Sequence, residues 1–157
     1  MGSLGASLEA GLLSLSFALL IGLLFPCVII MADFDFGAHR AKYLVYMLWI
    51  YAASCLLMFS ADVCLFYIIY ELLIGLVFLV MYSTANSRGG VEAILFFAGW
   101  AVVGSFLVGV AAIYIVCCCQ ACSFHAVASF HFTSDELYYL YVLFFFGFGT
   151  KLSTWPL

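Results

Sequence analysis

Charge is what this chain has least of. Asp, Glu, Lys and Arg together make up 8% of its 157 residues, whereas a soluble domain carries roughly 25%. Hydrophobic residues reach 69% and the mean hydropathy is +1.29. No water-soluble fold covers that much apolar surface, so the solvent this sequence suits is lipid. Basic residues are the scarcest of all: Arg40, Lys42, Arg88 and Lys151 are the whole set. That excludes nucleic-acid binding, which needs a basic patch or stripe. The absence of any Arg or Lys before Arg40 argues against a secretory signal, which needs a positive n-region, and against an Arg-rich transit peptide. Met1-Gly2-Ser3 hints at myristoylation, but Ala6 stands where Ser or Thr is required. The first apolar run is therefore expected to be a retained helix. A chain this hydrophobic without an import signal suits synthesis beside its membrane, in a bacterium or from an organellar genome. Cofactor motifs are missing too: there is no GxGxxG, P-loop or CxxCH, and no intramembrane histidine pair for haem. No repeat or flexible linker divides the chain, which reads as one transmembrane domain over residues 1–157.

Long apolar runs are what the sequence has in abundance. A spanning helix needs ~20 mostly apolar residues, and five runs qualify: about 11–31, 41–60, 62–82, 91–117 and 136–157. The expected fold is an all-α polytopic membrane protein of about five transmembrane helices, the last of them broken. The fourth run is long enough to tilt or overshoot the bilayer. The connections are a charged loop at 32–40, a turn at Ser60-Ala61-Asp62, a polar loop at 83–90 and a longer stretch at 118–135. Arg40, Lys42 and Arg88 fall on one side of this arrangement, and Glu9, Asp62, Asp135 and Glu136 on the other. The positive-inside rule makes the first side the cytoplasm or matrix.

Two ionisable residues break the apolar pattern. Glu71 lies in the third run and Lys151 in the fifth. A charge at the centre of a membrane helix costs at least ~2.5–3.5 kcal/mol on insertion scales, and two of opposite sign suggest a path for charge. At 1.5 Å per residue, Glu71 sits roughly 14 Å from Asp62, and Lys151 roughly 22 Å beyond Glu136. Both depths call for protein or internal water as surroundings. The structural alternatives are an interhelical hydrogen bond for Glu71, with Tyr67 or Tyr70 as partner or relay, and snorkelling for Lys151. Pro156 removes the amide that would bond Leu152. With Thr150 and Ser153-Thr154-Trp155, it weakens the helix around the lysine, as is tolerated where backbone lines a protected cavity.

The remaining signals are weaker. Cys27, Cys55 and Cys64 stand alone in apolar runs, where cysteine acts as a small hydrophobe. Cys117, Cys118, Cys119 and Cys122 invite a zinc or palmitoyl reading, but they lack a second ligand set, and small residues at a helix end is the reading preferred. No metal is expected. Gly99, Gly104, Gly109, Gly147 and Gly149 read as close-packing surfaces. Tyr138, Tyr139 and Tyr141 read as an interfacial belt, and His125 and His131 as surface loop residues.

In order along the chain, several phrases are similar to one family. Phe25-Pro26-Cys27, Phe66-Tyr67-Ile68-Ile69-Tyr70-Glu71, Asn86-Ser87-Arg88, Phe96-Phe97, Val103-Gly104-Ser105 and the ending Gly149-Thr150-Lys151 through Trp155-Pro156-Leu157 resemble subunit 4 of NADH dehydrogenase, respiratory complex I. The resemblance covers nearly the whole chain, matching about the family's third to seventh helices. It implies an antiporter-like, proton-pumping membrane-arm subunit of the mitochondrial inner membrane, or less readily of a bacterial plasma membrane. Glu71 and Lys151 fall on the family's glutamate and its broken-helix lysine, whose coupling would gate proton movement. It also implies that NADH, FMN, iron–sulfur clusters and ubiquinone are bound elsewhere in the assembly and none by this chain. The implied partners are other membrane-arm subunits, including chains supplying the family's missing helices, and lipids such as cardiolipin. The lysine of the next helix and the later repeat are absent, and the cysteine cluster matches nothing in the family. A structural accessory subunit and a small homo-oligomeric ion transporter are the alternative readings. Comigration with NADH dehydrogenase activity would distinguish the first reading from a small homomeric species.

Overall fold

A computed structural model gives the protein over residues 11–35, 40–85 and 88–151. Among these described residues six helices follow one another: α1 (Leu12–Asp35), α2 (Arg40–Phe59), α3 (Val63–Thr84), α4 (Arg88–Cys119), α5 (Phe124–Ser129) and α6 (Ser134–Gly149). Four are long and apolar enough to cross a membrane, over Leu12–Met31, Ala41–Phe59, Val63–Thr84 and Arg88–Cys119. Apolar residues encircle these helices rather than forming one stripe, the pattern of membrane spans. The chain is an all-α, multi-pass membrane protein.

The fifth expected crossing is described only as far as Lys151. Its described helix, α6, has 16 residues and ends at Gly149, which is roughly 24 Å of helix against a ~30 Å hydrocarbon core. Thr150 caps it, and Lys151 donates its backbone N–H to Phe148 in the turn that follows. Pro156 and the rest of 152–157 lie outside the described residues, as do Glu9 and His39. The connection at 118–135 departs from expectation, since it contains α5, a helix too short to show any period in the sequence.

Local chemistry explains where the helices start. Asp62 ends the α2–α3 turn as an N-cap, its carboxylate accepting from the Cys64 and Leu65 amides. That satisfies donors with no partner in the first helical turn. At α6, Thr133 and Glu136 form a reciprocal capping box, and the acidic first turn favours the positive helix end. Glu136 also accepts from the Tyr114 hydroxyl of α4.

Packing runs from neighbour to neighbour: α1 on α2, α2 on α3, α3 on α4 and α4 on α6. The interior gathers on α4, whose Ala101, Val108 and Ala111 are 3%, 1% and 0% exposed. α1 lies at the other extreme, joined to α2 by a Phe25–Tyr51 stack while Leu12, Leu19 and Leu23 stand open. A Cβ on Gly104 would lie 2.8 Å from the Gly147 carbonyl oxygen, and one on Gly109 would lie 2.6 Å from the Tyr67 hydroxyl. One on Gly147 would meet a Val108 methyl at 2.7 Å. These three glycines let α3 and α6 come close to α4, as membrane helices without a hydrophobic driving force require. Gly99 is a correction: nothing lies within 4 Å of its missing Cβ.

Candidate functional site

Glu71 sits two turns into α3 and half-buried, and its Oε1 accepts from Ser105 Oγ on α4. Ser105 is buried, at 6% exposure. The Tyr67 hydroxyl, one turn earlier on α3, lies beside both groups. Lys151, also half-buried, reaches back to α4 and donates from Nζ to the Ala101 carbonyl at 3.1 Å. Ala101 and Ser105 are four residues apart and therefore share one face of α4. Their partners thus arrive at the same buried face, the acid from α3 and the base from beyond α6.

Tyr70 fills the angle between them. Its ring lies 5.9 Å from the Lys151 ammonium, within the reach of a cation–π attraction, and packs edge-on against Phe148 of α6. Its hydroxyl is buried without a hydrogen-bond partner among the described residues. Among the described residues the side chains of Glu71 and Lys151 hydrogen-bond to Ser105 and Ala101, not to each other. An acid and a base held apart on one helix face can exchange influence without fusing into a fixed ion pair.

The sequence reading named the two charged residues and missed their partners on α4. It offered Tyr67 and Tyr70 to Glu71; Tyr67 is adjacent, while Tyr70 turns to the lysine. Ser105 stood in the quoted phrase Val103-Gly104-Ser105, and its signal was the one serine in an apolar helix. The Ala101 carbonyl leaves no signal in a sequence.

Away from this site, Cys117, Cys118 and Cys119 are the last residues of α4, as read. Cys64 is not isolated as expected, because its sulfur lies 3.5 Å from that of Cys122. With Asp62 the two thiols bring possible ligand atoms within 4.8 Å of one another, a grouping that the expectation of no metal set did not foresee. His125 and His131 are exposed, the former on α5 rather than in a loop.

The chain is 31% identical over 97 residues to NADH-ubiquinone oxidoreductase chain 4 of Paramecium tetraurelia. It resembles that subunit in part. The match covers 62% of this chain and 20% of the relative, so the chain spans about a fifth of the curated protein it matches. No protein-family model matches the chain. The match agrees with a partial resemblance to that subunit.

Proposed function

We propose that this chain is a portion of the proton-translocating membrane arm of NADH:ubiquinone oxidoreductase, with Glu71 and Lys151 as its acid–base pair. The observation that carries the reading is the meeting of both side chains at the Ala101–Ser105 face of α4. An intramembrane acid and base are expensive to bury singly, and here each has a polar partner on a shared, buried surface. With the ammonium close, the carboxylate keeps its charge; when lysine withdraws or loses its proton, Glu71 accepts one. Alternation between these states, driven by redox chemistry in other subunits, passes protons along the interior. The location that fits is the mitochondrial inner membrane, with other membrane-arm subunits and lipids such as cardiolipin as neighbours.

NADH, FMN, iron–sulfur clusters and ubiquinone belong to those other subunits in this proposal. A cluster needs four ligands, typically thiolates, and the grouping at Asp62, Cys64 and Cys122 offers two thiols and one carboxylate, so these residues do not fit one. In this proposal the oxidoreductase activity is that of the assembly.

The deciding experiment is Glu71→Gln in the assembled enzyme, with protons translocated per NADH oxidised measured in sealed vesicles. The ratio is expected to fall sharply while the subunit still assembles, and an unchanged ratio would refute the role. The Ser105–Glu71 hydrogen bond across α3 and α4 also favours a second reading, in which Glu71 is interhelical adhesive in a structural accessory subunit. Glutamine preserves that bond, so the adhesive reading expects normal pumping from Glu71→Gln and lost assembly from Glu71→Leu.

A further inference from the structure

We propose that Cys64 and Cys122 form a disulfide that staples the start of α3 to the loop after α4. The two residues are 58 positions apart in the chain, and their sulfurs lie 3.5 Å from each other. The backbone around them is already paired. The Val63 amide donates to the Cys122 carbonyl at 2.8 Å, and the Phe124 amide donates to the Ala61 carbonyl at 2.9 Å, forming an isolated antiparallel bridge between Asp62 and Ser123. Bond formation therefore asks for a small side-chain movement, with no rearrangement of either loop. Gln120, at a φ of 51°, turns the chain sharply after α4 and so delivers Cys122 to this position.

Compartment supports the same conclusion. The charge-derived orientation puts the Asp62 turn and the 118–135 connection on the outer side of the membrane, where disulfides form and persist. Cys64 is exposed and Cys122 half-exposed, so a thiol-reactive protein can reach them. The oxidant required is a disulfide donor of the outer compartment, such as a thiol oxidoreductase in its disulfide form. The Cys122 thiolate attacks the donor's S–S bond, forming a mixed disulfide and releasing one donor thiol. Cys64, as its thiolate, then attacks the Cys122 sulfur, closing the bond and releasing the second donor thiol. Two cysteine thiols are oxidised and one donor disulfide is reduced to two thiols, with the protons balanced. The staple fixes the start of the helix that carries Glu71 against the helix that carries Ser105, holding the geometry of the acid on which proton movement depends.

The test is differential alkylation of native membranes. Membranes are quenched in acid and treated with N-ethylmaleimide, then reduced and treated with an isotopically heavy maleimide, and the Cys64 and Cys122 peptides are read by mass spectrometry. Heavy label on both residues, with a Cys64–Cys122 linked peptide in the unreduced digest, is the expected result. In Cys64→Ser, Cys122 should shift to the light label. Light label on both residues in unmodified membranes overturns the proposal. So does linkage of Cys122 to another cysteine, or release of both thiols by a chelator without a reductant, which would mark a bound metal. None of these outcomes depends on pumping, so the proposal stands or fails separately from the proposed function.

Discussion

Ser105 is the side chain of α4 that Glu71 meets. Its buried hydroxyl donates to the Glu71 carboxylate, and hydrogen bonds to charged groups contribute ~1.5–3 kcal/mol. Among the described residues, Ser105→Ala leaves the acid with the neighbouring Tyr67 hydroxyl as its hydrogen-bonding side chain. It is expected to slow proton translocation by roughly tenfold or more at fixed NADH turnover, since ~1.4 kcal/mol corresponds to tenfold. Threonine at 105 keeps the donor and should retain most of the flux. Tyr70 makes the opposite prediction. Its buried hydroxyl has no partner among the described residues, while its ring faces the lysine. Removing an unsatisfied buried hydroxyl costs nothing in hydrogen bonding. Tyr70→Phe should therefore leave assembly unchanged and keep the cation–π attraction, whereas Tyr70→Leu should lose it. A drop in proton flux for Tyr70→Phe, measured in the same vesicles, would instead make that hydroxyl a member of the path.

Among the helices, α4 organises the molecule through glycines that look in different directions. Steps of five residues turn a helix by about 140°, so Gly99, Gly104 and Gly109 cannot share one face. The structure turns Gly104 toward α6, Gly109 toward Tyr67 of α3, and Gly99 toward open space. Gly104→Val should fail to pack, because even the first added carbon lies 2.8 Å from the Gly147 carbonyl oxygen. Overpacking of this kind costs ~1–3 kcal/mol, read as a lower unfolding temperature in detergent and less assembled subunit. Gly99→Ala meets nothing and should be neutral, or should stabilise the helix by ~0.5–1 kcal/mol. This contrast shows what a sequence of this kind discloses. Small residues marked α4 as a packing helix, and ~20-residue apolar runs marked the other spans, because lipid demands both. Direction around a helix was hidden, since helices apolar on every side carry no periodic cue to the buried face. For the same reason Ser105 and the Ala101 carbonyl were invisible as partners, although Glu71 and Lys151 stood out at once against their apolar surroundings. The short α5 was missed because its ends are set by local caps such as Ser123, not by hydropathy.

At the scale of the whole molecule, two kinds of surface compete for explanation. α1 turns large side chains outward along its length, with Leu12 91% exposed, and in a bilayer such a surface meets acyl chains or the helices of other subunits. The ends of the bundle are where aqueous chemistry begins. α4 has 32 residues, roughly 48 Å of helix, so it outreaches a ~30 Å hydrocarbon core and carries its cysteine end toward one aqueous side. Long-range pairings at that end, Cys64 with Cys122 and Asp62 with Ser123, depend on which loops become neighbours and leave no trace in local sequence. The side itself follows from Arg40, Lys42 and Arg88 gathering at the opposite end. Cysteine substitutions at Gly89, in the first turn of α4, and at Ser129, at the end of α5, test this assignment. Both positions are exposed, and Gly89 has nothing within 4 Å of an added Cβ. A membrane-impermeant maleimide applied to right-side-out vesicles should label position 129 and spare position 89, and inverted vesicles should reverse the pattern. Mass spectrometry reads each position separately from the native cysteines. Labelling of position 89 with position 129 spared in right-side-out vesicles would remove the basis for placing the Cys64–Cys122 pair in an oxidising compartment.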